Sequence, residues 1–206
     1  MDKLCYIFLY FVFYSIIGYV CEVFYVYLGD KEWVNRGFLH GPYIPIYGNG
    51  AMIVSLALMH VKKDSFIIFL VGLVLCSLLE YITSYVMEKI FHNRWWDYSE
   101  RKYNLNGRVC LQNSVLFGLG SVAIIYVFNP LFNKLYNALG FKTALYVAIV
   151  LFIIMLVDFS ISFFEAIKVS NIASHLDKFM EEFEKKKEST KRIKTRLMKA
   201  YPYLVK

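Results

Sequence analysis

Four stretches of this 206-residue chain are long and apolar enough to cross a lipid bilayer: Leu4–Leu28, Phe66–Met87, Val109–Phe128 and Thr143–Ile167. A helix rises about 1.5 Å per residue, so a hydrocarbon core of about 30 Å takes roughly 20 apolar residues. A fifth stretch, Tyr43–Val61, is weaker. It opens with PYIPIYGNG, whose Pro45, Gly48 and Gly50 are poor helix formers, so its first turns are expected to be irregular or re-entrant. Broken backbone at membrane depth is tolerated only against protein or a water-filled cavity. The sequence therefore predicts an all-α polytopic membrane bundle of five transmembrane helices, or four plus a re-entrant segment. Asp2 and Lys3 give almost no positive n-region and the first run is too long for a signal peptide, so it reads as a retained span.

Composition agrees. Hydrophobic residues make up 58% of the chain and charged ones 19%, against about 45–50% and about 25% in soluble domains. Cys5, Cys21, Cys76 and Cys110 form no C-x-x-C pair and read as small hydrophobes of a membrane core. The four histidines lack metal-ligand spacing, so neither metal nor cofactor is expected. The net charge of +7 is concentrated at one end: residues 168–206 carry 11 Lys/Arg against 5 Asp/Glu. An anionic membrane surface is its natural partner, and a nucleic acid is not.

Charge also predicts orientation, because cytoplasmic connections are enriched in Lys and Arg. With the basic tail inside and five spans, the inner segments 88–108 and 30–42 carry five and two basic residues. The outer connections 129–142 and 62–65 carry two each, and the N-terminus one. This predicts a multi-pass protein of the cell membrane, N-terminus outside and C-terminus cytoplasmic. Residues 1–168 form the expected transmembrane bundle, and 169–206 a basic amphipathic helix. In the latter, Ile172, Leu176, Phe179, Phe183, Ile193, Leu197 and Ala200 share a helical face interrupted by Lys186 and Thr190. That face suits the inner leaflet, the bundle itself, or a short coiled coil.

Acids inside spans are costly and turn toward protein or a polar cavity. Glu22, Glu80 and Glu165 each lie a few residues from the expected inner end of a span, with Asp158 nearer the middle. An internal echo accompanies them: Glu22, Tyr27 and Arg36 repeat the spacing of Glu80, Tyr85 and Arg94, as parallel repeats would. Each stretch leads into a Trp-containing basic segment, KEWVNRGFLHGP or HNRWWDYSERKYN. The second reads either as an interfacial helix with a loop or as a lid over the acids. Gly37, Gly41, Pro42 and Pro45 suggest a rigid, turned approach to the second span, and Gly118 and Gly120 a close helix contact.

Two readings of these residues stand side by side. The structural one pairs carboxylates with arginines and anchors the loops, leaving a membrane scaffold or signalling subunit. The functional one makes Glu22, Arg36, Glu80, Arg94, Trp95, Asp97, Arg108 and Glu165 line a cytoplasm-facing polar cavity. Arginines there would recognise a small polar or anionic solute or a lipid headgroup. An intramembrane enzyme with Glu80 or Glu22 as base and His92 or His40 nearby is a third option, but no nucleophile–base signature supports it. No G-x-x-x-x-G-K-[ST] loop is present either. Nucleotide-driven transport would need a separate ATPase subunit.

The segments GYVCEVFY (18–25), NRGFLHGPYIPIYG (35–48), LEYITSYVMEKIFHNRWWDYS (79–99) and NLNGRVC (104–110) together resemble the ABC-transporter permease family named after CmpB, also called type IV. The resemblance covers most of residues 1–130. It implies a bacterial multi-span protein in which Glu22, Arg36, Gly41, Pro42, Glu80, Arg94, Trp95, Trp96, Asp97, Asn106, Gly107 and Arg108 occupy motif positions. His40 stands where the family more commonly has Tyr. A chain this small would act as a homo-oligomer or with a partner, in contact with membrane lipids.

Overall fold

The computed structural model describes residues 2–31, 33, 35, 37–58 and 64–200. Its helices are α1 (Asp2–Asp30), α2 (Pro45–Ala57), α3 (Ser65–Phe91), α4 (Leu111–Ala123), α5 (Asn129–Leu139) and α6 (Phe141–Ala200). Between α3 and α4 lies a hairpin with two short antiparallel strands, β1 (Asn104–Leu105) and β2 (Val109–Cys110). Two compact units result, Met1–Phe163 and Phe164–Lys206, and α6 contributes to both.

Four helical stretches are long and apolar enough to cross a membrane: Lys3–Leu28, Ser65–Phe91, Leu111–Leu139 and Phe141–Ile172. The first unit has hydrophobic clusters within, buries several polar groups among them, and is apolar on its outside too, unlike a soluble domain. Ser15, Ser84, Ser114, Ser121, Ser162, Glu80 and Arg108 are buried, while Leu70, Val74, Leu78, Leu119, Val150 and Ile153 are exposed. Lipid is the solvent that suits such a surface.

Side-chain registers give the first unit an up-and-down course. Tyr47 of α2 sits on Gly18 of α1, and Tyr10 reaches back to Ser55, so these helices are antiparallel. Gly72 meets Ser121 and, further along α3, Ser77 bonds Ser114 at 2.6 Å, which makes α3 and α4 antiparallel as well. Phe8 of α1 lies edge-on to Phe152 of α6, and Val12 shares a cluster with Met155; these two run in parallel.

α2 is the short member. Its 13 residues make a helix of about 20 Å, less than the hydrocarbon thickness. Pro45 opens it, where a missing N–H costs nothing. The preceding segment 37–44 is the turned approach that Gly37, Gly41 and Pro42 suggest, whereas the expected irregularity over Pro45, Gly48 and Gly50 is not found: these residues are regular helix.

Three further sequence-based expectations need correction. Residues 129–139, read as part of an external loop, are helix α5, joined to α4 through a π-helical turn at Ile124–Phe128. Pro130 lies in the first turn of α5, where a proline is tolerated. The spacing of Leu131, Phe132, Leu135, Tyr136 and Leu139 is itself helical. The 92–110 segment holds no interfacial helix; it folds as the β1–β2 hairpin, with Tyr103, Asn106 and Gly107 at positive φ. Gly118 makes the expected close contact, whereas nothing lies within 4 Å of a Cβ placed on Gly120.

The echo of spacing does not extend to contacts. Tyr27 stacks on Trp33, ring centroids 4.4 Å apart, while Tyr85 lies under the Arg108 guanidinium.

A polar ladder ties α1 to α2 and α5. Tyr6, Tyr10 and Tyr14 recur every four residues on α1, as do Asn129, Asn133 and Asn137 on α5. Tyr6 donates to Asn133 Oδ1 at 2.6 Å, and Tyr10 and Tyr14 each donate to Asn129 Oδ1 at 2.7 Å. Interhelical bonds of this kind in membranes average about 0.6 kcal/mol, so the ladder orients these helices more than it glues them.

Closeness of packing makes the glycines testable. A side chain at Gly48 meets Ser15 and the Phe11 carbonyl, and one at Gly72 meets Ser121. Gly48→Val and Gly72→Val are expected to destabilise the chain by about 1–3 kcal/mol through overpacking, whereas Gly120→Ala is neutral. Thermal unfolding in detergent, followed by size-exclusion fluorescence, checks the contrast.

Candidate functional site

Three polar assemblies occupy the first unit, each built around a carboxylate. The first secures the irregular approach to α2. Segment 37–44 has left helical geometry, so its N–H groups need outside partners. Asp158 of α6 supplies them: His40 N donates to Oδ1 at 3.0 Å, and Gly41 N to Oδ2 at 2.9 Å. The Tyr43 hydroxyl donates to Oδ2 at 2.5 Å, and Ser162 Oγ to Oδ1 at 3.2 Å. Ile44 N completes the anchoring on the Ser15 carbonyl of α1 at 2.9 Å.

His40, Asp158 and Ser162 superficially suggest a nucleophile triad, but the geometry is wrong for one. Asp158 Oδ1 and Ser162 Oγ both meet His40 Nδ1, at 3.1 and 2.9 Å, whereas a proton relay uses one ring nitrogen for each partner. The cluster is a backbone anchor.

The second assembly fastens the hairpin to the end of α3. Glu88 takes Arg108 Nη2 at 2.5 Å and Arg94 Nε at 3.3 Å. The buried Arg108 also donates to Ser84 Oγ at 3.1 Å and lies over the Tyr81 and Tyr85 rings. Arg94 extends to Asp97 Oδ1 at 3.7 Å. Asp97 accepts from Ser99 N and Oγ, and these bonds hold its carboxyl below the ordinary aspartate range. Gly107 permits the closure: its φ is +68°, and a Cβ there would strike Asp97 and Ser99. Trp96 donates its indole N–H to the Arg108 carbonyl, and Trp95 packs edge-on to Phe38 and Phe91.

The third assembly brings two acids from separate spans together. Tyr47 of α2 donates to Glu22 Oε2 at 2.7 Å, and Tyr98 of the hairpin to Glu80 Oε1 at 3.2 Å. Burial, followed by the charges of Glu80 and Glu22, raises the Tyr98 hydroxyl above the ordinary tyrosine range. Glu80 is 6% exposed, and its Oε2 has no hydrogen-bond partner among the described residues. No ion pair to either acid occurs among those residues.

The eight residues singled out from sequence thus divide. Glu22 and Glu80 lie within electrostatic reach of the same two tyrosines, Tyr47 and Tyr98; Arg94, Asp97 and Arg108 gather around Glu88; Trp95 supports the hairpin. Glu165 belongs to the second unit, and Arg36 lies outside the described residues. Sequence reasoning missed Glu88, Tyr47 and Tyr98, and it did not connect Asp158 with His40. For Glu88 a signal existed, an acid near the foot of a span just before an arginine-rich loop. The tyrosines had none, being two among 17.

The anchors differ in expected cost. Asp158→Ala orphans two backbone N–H groups and a hydroxyl, for a loss of about 3–5 kcal/mol; Asp158→Asn, which keeps an acceptor, costs less. Glu88→Ala leaves buried Arg108 without its carboxylate and lowers the melting temperature, while exposed Asp97→Ala changes little. Melting temperatures of the four variants in one lipid nanodisc preparation test this order.

No curated protein and no solved structure matches the chain. A family model does, over residues 9–163, a range that contains all three assemblies. With four helices able to cross a membrane, the chain is a multi-pass membrane protein and belongs to the family described as "Putative ABC-transporter type IV".

Proposed function

We propose that this chain is the permease-like subunit of a transporter, and that Glu22 and Glu80 form its solute-handling site. One observation carries the reading: acids from two different spans lie within electrostatic reach of each other and of Tyr47 and Tyr98, held by tyrosine hydroxyls and by no cationic side chain of the described residues. Leaving acids uncompensated at membrane depth is expensive, so such a place is a functional site by default. Arg94 and Arg108 are already engaged by Glu88 and Asp97. The favoured solute is therefore a small polar molecule bearing positive charge or hydrogen-bond donors, rather than an anion or a lipid phosphate. In this reading the Tyr98 hairpin is the lid on that site.

The accompanying topology has five crossings, α2 being the short one, in the cell membrane. Its N-terminus is outside and its C-terminus cytoplasmic, which puts Glu22 and Glu80 on the cytoplasmic side. The basic face of residues 169–206 rests on anionic lipid. Energy comes from a separate ATPase subunit, because no P-loop is present in the sequence, and a second copy or further subunit completes the pathway. A membrane scaffold is the competing reading. The Glu88–Arg94–Arg108 network favours it, since that network builds a rigid hairpin surface with its charges internally matched.

Extraction of the full chain into lipid nanodiscs separates the two. Transport predicts that an ATPase subunit co-purifies and that native mass spectrometry detects a retained small molecule. Glu22→Gln and Glu80→Gln are expected to lose that molecule while keeping the complex and melting within a few degrees of wild type. A chain that retains neither ATPase nor small molecule is a scaffold.

A further inference from the structure

We propose that Glu80 is a proton-binding site, its carboxyl neutral at rest and exchanging its proton with solvent or solute. The inference rests on the reading of the Glu22–Glu80 pair as the site and names the ligand it holds in the absence of solute. Geometry carries it. Glu80 is 94% buried by side-chain and backbone accessibility together (6% exposed), one carboxyl oxygen is held only by the Tyr98 hydroxyl, and the other meets no donor among the described residues. An ionised carboxylate so placed forfeits hydration without compensation, and protonation removes most of that cost.

The charged and titratable groups facing Glu80 come from every element packed around it. They are Glu22 of α1, Tyr47 of α2, Cys76 on α3 itself and Tyr98 of the hairpin. All are neutral or negative at neutral pH. The Arg108 guanidinium is turned to Ser84 and Glu88 instead. Neither Glu80 nor Glu22 has a cationic partner among the described residues. The proton resides on the more buried of the two, Glu80. A metal cation fits less well, because hard cations take six or more oxygen ligands and the tyrosine hydroxyls here donate their hydrogens to the acids. A proton needs one oxygen atom, and Oε2 is that atom. The step is a simple exchange: the Oε2–H bond breaks, the electron pair stays on the carboxylate, and the proton passes to water or solute.

Dicyclohexylcarbodiimide, which attacks protonated carboxyls in apolar surroundings, provides the test on the full chain in nanodiscs. Wild type is expected to be modified at Glu80, read by peptide mass spectrometry, with a rate that falls as pH rises; Glu80→Gln is not modified. Glu22→Gln removes the neighbouring negative charge, eases ionisation of Glu80, and shifts the half-labelling pH down by about one unit. A purely structural Glu80 would show no such shift. Absence of Glu80 labelling from acid to alkaline pH overturns the proposal, as does protection by Na+ at fixed pH, which would assign a cation site. A titrating Glu80 in a chain that retains no solute would sink the transport reading and leave this one standing. An unlabelled Glu80 in a solute-retaining complex would do the reverse.

Discussion

The need to satisfy every backbone N–H and every charge inside hydrocarbon organises this molecule. A break in a membrane helix exposes donors that water cannot reach, and the chain is broken from Gly37 through Gly41 and Pro42, up to Pro45, which opens α2. The remedy is a single carboxylate on another helix. Asp158 takes the His40 and Gly41 N–H groups and the Tyr43 hydroxyl together, so α6 and the approach to α2 hold each other in place. Because α2 starts from that anchored point, its register on α1 follows. Tyr47 falls on Gly18 and extends to Glu22.

The same economy separates anchoring charges from the remainder. Glu88 gathers two arginines, and the hairpin closes over α3 as one rigid piece. That leaves the arginines little capacity for a ligand. It also presents Tyr98 to Glu80, so the element that fixes the loop delivers the only donor Glu80 has among the described residues. Among the described residues Glu22 and Glu80 keep hydroxyl partners alone. Stability and function therefore draw on different carboxylates here: Asp158 and Glu88 hold the fold, while Glu22 and Glu80 carry the chemistry we propose.

Much of the architecture was legible because the bilayer imposes a single length scale. Leu4–Leu28 and Phe66–Met87 could be read as spans from hydropathy alone, and structure moved their ends by a few residues at most. Segment 129–139 was taken for an outer connection because Asn129, Asn133, Lys134 and Asn137 interrupt the apolar run. Its Asn129, Asn133 and Asn137 spacing, facing Tyr6, Tyr10 and Tyr14, was the readable clue that it continues as helix.

The sequence by itself determined the class of the molecule, its membrane runs, the broken approach to α2 and the presence of acids where lipid should be. Each of these is a property of a residue or of a local run, with energies that depend on composition and spacing along one chain segment. Only the tertiary structure decided which acid meets which partner. Ion pairs and hydrogen bonds act over about 3 Å, and the partners lie 25 residues apart for Tyr47 and Glu22 and 115 for Tyr43 and Asp158. No local pattern encodes such pairings; the packing of helix on helix does.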